Sequence, residues 1–276
     1  MERSPTTIDD EAARAEQLPQ ADATSLVDSE QLETAVKEMY RDVAAGNDEA
    51  LHFETGRELA AHLGYPPDLL DRIPAGSLAS FAGVGYHMDL AALEPGERVL
   101  DLGSGSGTDV FCAAVEVGSD GRAVGIDFTD DQLAKARSLA GESFPQAEFV
   151  EGRIETLPFE DASFDVVISN GVINLSLLKN RVFEEAARVL VPGGRLAIAD
   201  IVSAKALKEG TRRNVELWAA CIAGSIPRDA YLKAIEETGL AVGEVRRNDY
   251  RFVSDRAQEA CGTYGVESVS LVATKG

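Results

Sequence analysis

From Ser29 the apolar positions Leu32, Val36, Met39 and Val43 recur at helical spacing, which predicts an amphipathic helix capped by Asp28 or Ser29. The helical pattern continues to about Leu70, where Pro66-Pro67 and then Pro74 break it. Beyond residue 94 the period changes. Short apolar runs at 98–102, 122–127, 147–151, 164–169 and 194–200 predict strands. The stretches 107–117, 130–140 and 179–190 between them predict helices, and Pro192-Gly193-Gly194 predicts a tight turn before the fifth strand. Regular alternation of this kind implies a parallel sheet with helices on both faces. A helical region through Cys221, a helix at 228–238 and two strands near 241–247 and 266–274 follow, with the last two read as an antiparallel hairpin at the sheet edge.

Residues 1–27 are polar and acidic, carry Pro5 and Pro19 and show little periodicity, so a disordered tail is expected there. A helical cap at 28–93 and an α/β domain at 94–276 complete the expected organisation. There is no internal repeat and no low-complexity tract.

Charge narrows the function classes. Acidic residues number 47 against 26 basic ones, a formal net charge of −21. A surface of that sign repels nucleic-acid phosphates and anionic lipids, which argues against nucleic-acid and membrane partners. No run approaches the roughly 18–20 apolar residues of a membrane span. Met1-Glu2-Arg3-Ser4-Pro5 lacks the basic and apolar regions of a secretory signal, so a cytoplasmic protein is the expectation. Cys112, Cys221 and Cys261 are too widely spaced for a disulfide framework or a zinc pattern, and no metal site is read. His52 and His62 fall in an acidic helical stretch and read as solvated surface.

The chemistry concentrates where the first strand ends. Val99-Leu100-Asp101-Leu102 runs into Gly103-Ser104-Gly105-Ser106-Gly107, and a helical stretch follows at once. Glycines permit a sharp turn and let a ligand approach main-chain N–H groups that a Cβ would screen. The spacing Gly-x-Gly-x-Gly is not the Gly-x-Gly-x-x-Gly of a dinucleotide site, which argues against a nicotinamide dehydrogenase. Asp101, at the strand's carboxyl end, suits a ligand ammonium better than a phosphate. Asp127 ends the second strand 20 residues after Gly107. An acid at that place hydrogen-bonds a ribose diol in Rossmann-type sheets. Phe128 reads either as a cover for an adenine face or as core. An ammonium-bearing nucleoside, S-adenosylmethionine, meets all of these features.

These residues resemble the class I S-adenosylmethionine-dependent methyltransferases. The likeness runs from about Glu97 to the end through Asp101–Gly107, Asp127, Glu151-Gly-Arg-Ile-Glu155, Phe164-Asp-Val-Val-Ile-Ser-Asn170 and Arg188-Val-Leu-Val-Pro-Gly-Gly194. Within that superfamily, Ser80–Gly85, Gly107-Thr-Asp-Val-Phe111, Asp127-Phe-Thr-Asp-Asp-Gln-Leu133 and Ser169-Asn-Gly-Val-Ile-Asn-Leu-Ser176 look most like the arsenite methyltransferase group. The resemblance implies a Rossmann-like α/β fold with a seven-stranded, mostly parallel sheet, helices on both faces and an N-terminal helical extension. It implies a cofactor set of Asp101, Gly103, Ser104, Gly105, Gly107, Asp127, Phe128, Ile154, Glu155 and Asn170. Gly103 to Gly107 and Asn170 would lie by the methionine moiety, Asp127 by the ribose, and Ile154 and Glu155 by adenine.

The chain departs from that group in its thiols. Arsenite methyltransferases hold As(III) with several cysteine thiolates, soft donors for a thiophilic centre. One such cysteine falls where this sequence has Gly171, and another falls before the core, where no cysteine precedes Cys112. Cys221, in Trp218-Ala-Ala-Cys-Ile-Ala-Gly224, matches a thiol position and is the candidate substrate thiol. Cys112 reads as a small buried hydrophobe. His87 is the candidate base for an acceptor that must lose a proton, and Tyr40 is placed on the first helix either facing the cofactor or packing. The acceptor is then a small molecule, arsenite or an organic metabolite of a quinone-like kind, methylated on carbon or oxygen. A non-catalytic S-adenosylmethionine-binding protein is the alternative. Ser169-Asn-Gly-Val172 lacks the Pro-Pro-aromatic run of enzymes that methylate DNA amino groups.

Overall fold

The computed structural model describes residues 27–45 and 53–276. The tail expected at 1–27 therefore lies outside the described residues except for Val27, as does His52. The first helix, α1, spans Ser29–Ala45, and the Asp28 carboxylate accepts the Gln31 N–H at 2.9 Å at its start. Leu32, Val36 and Val43 are its buried positions, as the spacing predicts. Four short helices follow: α2 (Gly56–His62), α3 (Pro67–Leu70), α4 (Ala75–Leu78) and α5 (Met88–Ala91). Proline fixes φ near the helical value and lacks the N–H that a first turn leaves unused. Pro66-Pro67 and Pro74 accordingly start helices α3 and α4 rather than only ending earlier ones.

The α/β core reads β1 (Arg98–Leu102), α6 (Thr108–Val117), β2 (Arg122–Asp127), α7 (Asp130–Ala140), β3 (Ala147–Glu151), β4 (Phe164–Asn170), a single 3₁₀ turn at Ile173–Leu175, α8 (Lys179–Val189) and β5 (Leu190–Val202). Then come α9 (Glu209–Arg212), α10 (Val215–Ala219), α11 (Arg228–Glu236), β6 (Leu240–Arg247), α12 (Asp255–Tyr264) and β7 (Glu267–Lys275). The seven strands form one sheet in the order β3-β2-β1-β4-β5-β7-β6, with β7 antiparallel to both neighbours and the other pairs parallel. The strand order reverses between β1 and β4, and ligands of open α/β sheets bind outside the carboxyl ends of the strands at such a point.

Two local readings change. β5 begins at Leu190, paired with Phe164, and the next pairs are Val166 with Arg195 onward. The Pro192-Gly193-Gly194 turn is thus a bulge inside the strand, with Gly193 in the left-handed region. The terminal strands are not joined by a tight hairpin either. Helix α12 separates them, capped by the Ser254 hydroxyl, which accepts the Ala257 N–H at 3.3 Å, and ended by left-handed Gly265.

Two buried layers flank the sheet. Helix α6 is enclosed nearly all round, with Val110, Phe111, Cys112, Ala113, Ala114 and Val117 fully buried. Leu59, Tyr65, Leu70, Leu78, Phe81 and Met88 from the segment before the core pack into the same cluster. The short helices are therefore continuous with the domain core. Deleting one large side chain from such a layer, as in Phe111→Ala, costs about 3–5 kcal/mol because the hole cannot fully collapse.

Candidate active site

The glycine turn joins β1 to α6 and is fixed by backbone bonds. Gly103 and Ser104 N–H both donate to the Ile126 carbonyl, at 2.8 and 3.0 Å, which pulls the turn against the end of β2. Gly103 has φ +73° and packs so closely on Val172 that a Cβ there would collide with it. Gly105 and Gly107 are also left-handed. The turn leads into a cavity of about 640 Å³ at the carboxyl ends of the strands.

Asp127 anchors one end of that cavity. Its carboxylate accepts the Gly105 N–H at 2.9 Å and the Thr129 N–H at 2.8 Å. Burial raises its pKa, and the backbone N–H groups pull the other way. Phe128 belongs to the cavity wall rather than the sealed core: the ring is partly exposed, with the Lys37 ammonium 5.3 Å and the Arg153 guanidinium 6.0 Å from its centroid. Ile154 and Glu155 line the same side, and the Ser176 hydroxyl donates to Glu155 at 2.5 Å. The structure thus brings Gly103, Gly105, Asp127, Phe128, Ile154 and Glu155 around one space.

Asp101, Ser104, Gly107 and Asn170 stand behind that lining. Asp101 is buried, and burial together with the charges of Asp109 and Asp127 raises its pKa well above the ordinary carboxylate value. The donors to Asp109 are the Tyr65 hydroxyl and the Asn170 amide, and those to Asp127 come from the Gly105–Thr129 surroundings, all neutral. Three buried carboxylates without a bonded cation make a strong negative field. The Ser104 hydroxyl beside them is buried without a partner. A ligand ammonium supplies the missing charge, so these residues fit S-adenosylmethionine.

Asn170 works as a clamp. Its Nδ2 donates to Tyr65 Oη and the Gly85 carbonyl, each at 3.0 Å, and to Asp109 at 3.1 Å, while its Oδ1 accepts the Val84 N–H at 2.8 Å. One side chain therefore joins β4, α6 and the loop before the core. Sequence reading missed Tyr65 and Gln132. Gln132 accepts from the Ser106 hydroxyl and donates to the Tyr40 carbonyl at 2.8 Å, which holds α1 over the cavity. Arg153 pairs with Glu33 of α1 from the far wall. Nothing in a single sequence marks these contacts, because each joins residues far apart along the chain.

The two candidate catalytic groups lie elsewhere than expected. His87 begins α5, is fully buried and has no hydrogen-bond partner at either ring nitrogen. Burial lowers its pKa, and it is not part of the cavity wall, so it is corrected from a base to a core histidine. Cys221 is buried and left-handed at φ +61°. Its thiol donates to the Gly171 carbonyl at 3.5 Å. Burial pushes its pKa up to about 12, so it is a thiol and not a thiolate at neutral pH. Tyr40, not Cys221, lines the cavity. At Gly171, φ is +73° and the nearest side chain to an added Cβ is apolar Val84, at 3.2 Å. Cys112 is buried on α6 and Cys261 half-buried on α12, with no disulfide between any pair. Among the described residues there is no cluster of three or more His, Cys, Asp or Glu that could hold a metal ion, and no helix is long and apolar enough to cross a membrane.

Comparison with known proteins agrees with this geometry. The model of a methyltransferase domain family matches residues 93–245. An arsenite methyltransferase of Halobacterium salinarum is 39% identical over 205 residues, which are 73% of this chain and 52% of that protein. The chain thus spans about half the length of that relative. The crystal structure of an arsenic(III) S-adenosylmethionine methyltransferase from Chlamydomonas reinhardtii superposes with a TM-score of 0.60 at 31% identity, over 80% of this chain and 74% of that one. A chloroplastic 2-phytyl-1,4-beta-naphthoquinone methyltransferase of Arabidopsis thaliana is 39% identical over 109 residues, covering 38% of this chain and 42% of that protein. With more than half of its sequence matched by the domain model and its glycine turn at the β1–β4 switch point, the chain belongs to the S-adenosylmethionine-dependent methyltransferase domain family and resembles the arsenite methyltransferases within it.

Proposed function

We propose that the chain transfers a methyl group from S-adenosylmethionine to a small organic molecule, and that arsenite is not its acceptor. When bound, the cofactor supplies an electrophilic methyl on a sulfonium. Asp127 would hold the ribose hydroxyls, Phe128, Ile154 and Glu155 would enclose adenine, and the field of Asp101 and Asp109 would hold the ammonium. Transfer of this kind is an in-line displacement, and alignment of the two reactants supplies most of its acceleration. The chain's part is to position both and exclude water.

The observation that carries the organic reading is the state of Cys221. Arsenic chemistry needs several thiolates converging on one soft centre. Here one thiol is present near the cavity, it is already hydrogen-bonded to the Gly171 carbonyl, and burial pushes its pKa up to about 12. The similarity to named arsenite methyltransferases favours a second reading, in which Cys221 and external thiols hold arsenite together. The acidic surface opposes nucleic-acid substrates under either reading.

Labelled S-adenosylmethionine with arsenite and excess glutathione, run beside a panel of phenols and quinols, separates the two. Methyl transfer to an organic acceptor with no methylated arsenic supports the proposal. Methylated arsenic that disappears in Cys221→Ser overturns it.

A further inference from the structure

Helix α1 packs against both α7 and α10, and Leu32, Glu33, Val36 and Tyr40 on it line the cavity. Its two halves are held in different ways. Towards its carboxyl end the Tyr40, Val43 and Ala44 carbonyls accept from Gln132 Nε2 at 2.8 Å, the Ser80 hydroxyl at 3.1 Å and Lys135 Nζ at 2.8 Å. The last four carbonyls of a helix have no partner within it, so the bonds to Val43 and Ala44 fill places that otherwise need water.

The amino half has no such anchor. Among the described residues, the one side-chain hydrogen bond that reaches residues 28–37 from outside the helix comes from Arg153, which pairs with the Glu33 carboxylate. The Arg153 side chain is 57% exposed and that of Glu33 27%, and a pair so placed is weak and screened by salt. Leu32 and Val36 lie in one apolar cluster with Leu177 and Trp218, a seat that favours burial without fixing direction.

This weak tie sits on the ring assigned above to adenine. Glu33 also pairs with Lys37 at 2.9 Å, one turn along α1, so each of its oxygens binds a cation. The Lys37 ammonium and the Arg153 guanidinium are 5.3 and 6.0 Å from the centroid of Phe128, which lines the cavity beside Asp127. Hydrogen bonds from Arg153 and Lys37 hold the Glu33 pKa below the usual carboxylate value. Neutralising Glu33 leaves two like charges beside one ring, and their repulsion pushes α1 off the Arg153 wall.

We propose that α1 is the gate for cofactor exchange. It turns on its anchored carboxyl end, its amino half lifts to admit S-adenosylmethionine and release S-adenosylhomocysteine, and the Glu33–Arg153 pair latches it shut over Phe128. Glu33 is a positioning residue, acting through Arg153 and Lys37 and not on the reacting atoms. The gate rests on the reading of this cavity as the cofactor site.

The test follows radiolabelled S-adenosylhomocysteine on the full chain, with association and dissociation rates measured separately by rapid filtration. A latch that closes with and without ligand slows both directions. Glu33→Gln and Arg153→Gln are therefore each expected to raise both rates about three- to fivefold, the scale of one exposed ion pair, so that affinity changes less than either rate. The double variant is no faster than either single one, because the same latch is lost in each. Raising NaCl from about 0.05 to about 0.5 M speeds exchange in the unmodified chain, which keeps the gate refutable even where a variant fails to fold. Arg41→Gln breaks another exposed pair, with Asp131 near the anchored end, and leaves both rates within about twofold. Unchanged rates in both latch variants, faster dissociation without faster association, exchange that ignores salt, or an equal rise in Arg41→Gln overturns the gate. A chain that binds no S-adenosylhomocysteine overturns the cofactor reading itself, so the two failures are told apart.

Discussion

The Asn170 side chain holds Val84 from 86 residues away, accepting its N–H at 2.8 Å, and a second bond, from Nδ2 to the Gly85 carbonyl at 3.0 Å, closes the clamp. Asn170→Ala leaves the Val84 N–H and the Gly85 carbonyl without these partners. Loss of a partner to a buried group costs about 1–3 kcal/mol. Urea unfolding of Asn170→Ala is expected to show a lower midpoint with an unchanged slope. A midpoint equal to that of the unmodified chain contradicts the clamp.

Cofactor binding is expected to be linked to protons. Burial, then Asp109 and Asp127, raises the Asp101 pKa well above the usual value, and burial raises Asp127 as well. A bound ammonium favours the ionised carboxylates and so draws their pKa values down. Binding therefore releases protons, and affinity for S-adenosylhomocysteine rises with pH until the carboxyls are ionised in the unbound chain. Titration calorimetry in buffers of different ionisation enthalpy measures the release. Asp101→Asn reduces it, and proton uptake on binding refutes the field assigned to these acids.

His87 is expected to weaken the fold in acid. Its folded pKa is depressed by burial, so below the ordinary histidine value of about 6.5 the unfolded chain binds the proton that the folded chain refuses. Stability contributed by neutral His87 is thus complete above that pH and is lost as pH falls through it. His87→Phe keeps an aromatic ring in the core and removes this part of the slope. An unchanged stability profile between pH 7 and pH 5, about the range in which histidine titrates, would falsify the assignment.

Lys179 is expected to set the cavity wall from beneath. Its ammonium donates to the Asn174 carbonyl at 2.8 Å and the Ser176 carbonyl at 2.6 Å, and lies 5.6 Å from the Trp218 ring centroid. Burial lowers its pKa to about 8, against the pull of Asp200. Lys179→Met keeps the apolar stem and removes the donor. It is expected to cost about 1–3 kcal/mol of stability and to weaken binding at the Leu175–Leu178 wall. Because its folded pKa lies below the ordinary lysine value of 10.5, the unfolded chain keeps the proton that the folded chain loses, so the contribution of this group to stability rises as pH rises from about 8 toward 10.5. Thermal unfolding at pH 7 and pH 9, about one unit to either side, is the check.

The strands, the glycine turn and Asp127 were legible in the chain alone because each is set by neighbours. Short apolar runs mark β1 to β4, three glycines mark a left-handed turn, and an acid at the end of β2 lies a fixed distance along the chain from it. The bulge at Pro192–Gly194 was legible as a turn but not as part of a strand, since pairing with β4 decides that. Helix α12 went unread, with its start set by the Ser254 cap rather than by a strong apolar stripe.

The sequence by itself determined a Rossmann-like methyltransferase domain and the part of its cavity lined by Gly103, Gly105, Asp127 and Phe128, because those features follow from short-range spacing. Tertiary structure decided the surroundings of His87, Tyr40, Asn170 and Cys221. Burial and partners fix what a titratable or polar side chain can do, and those partners lie far along the chain, 86 residues away for the Asn170–Val84 pair. A histidine near the core reads the same in the chain whether it faces a cavity or is sealed within the fold. Only packing separates the two.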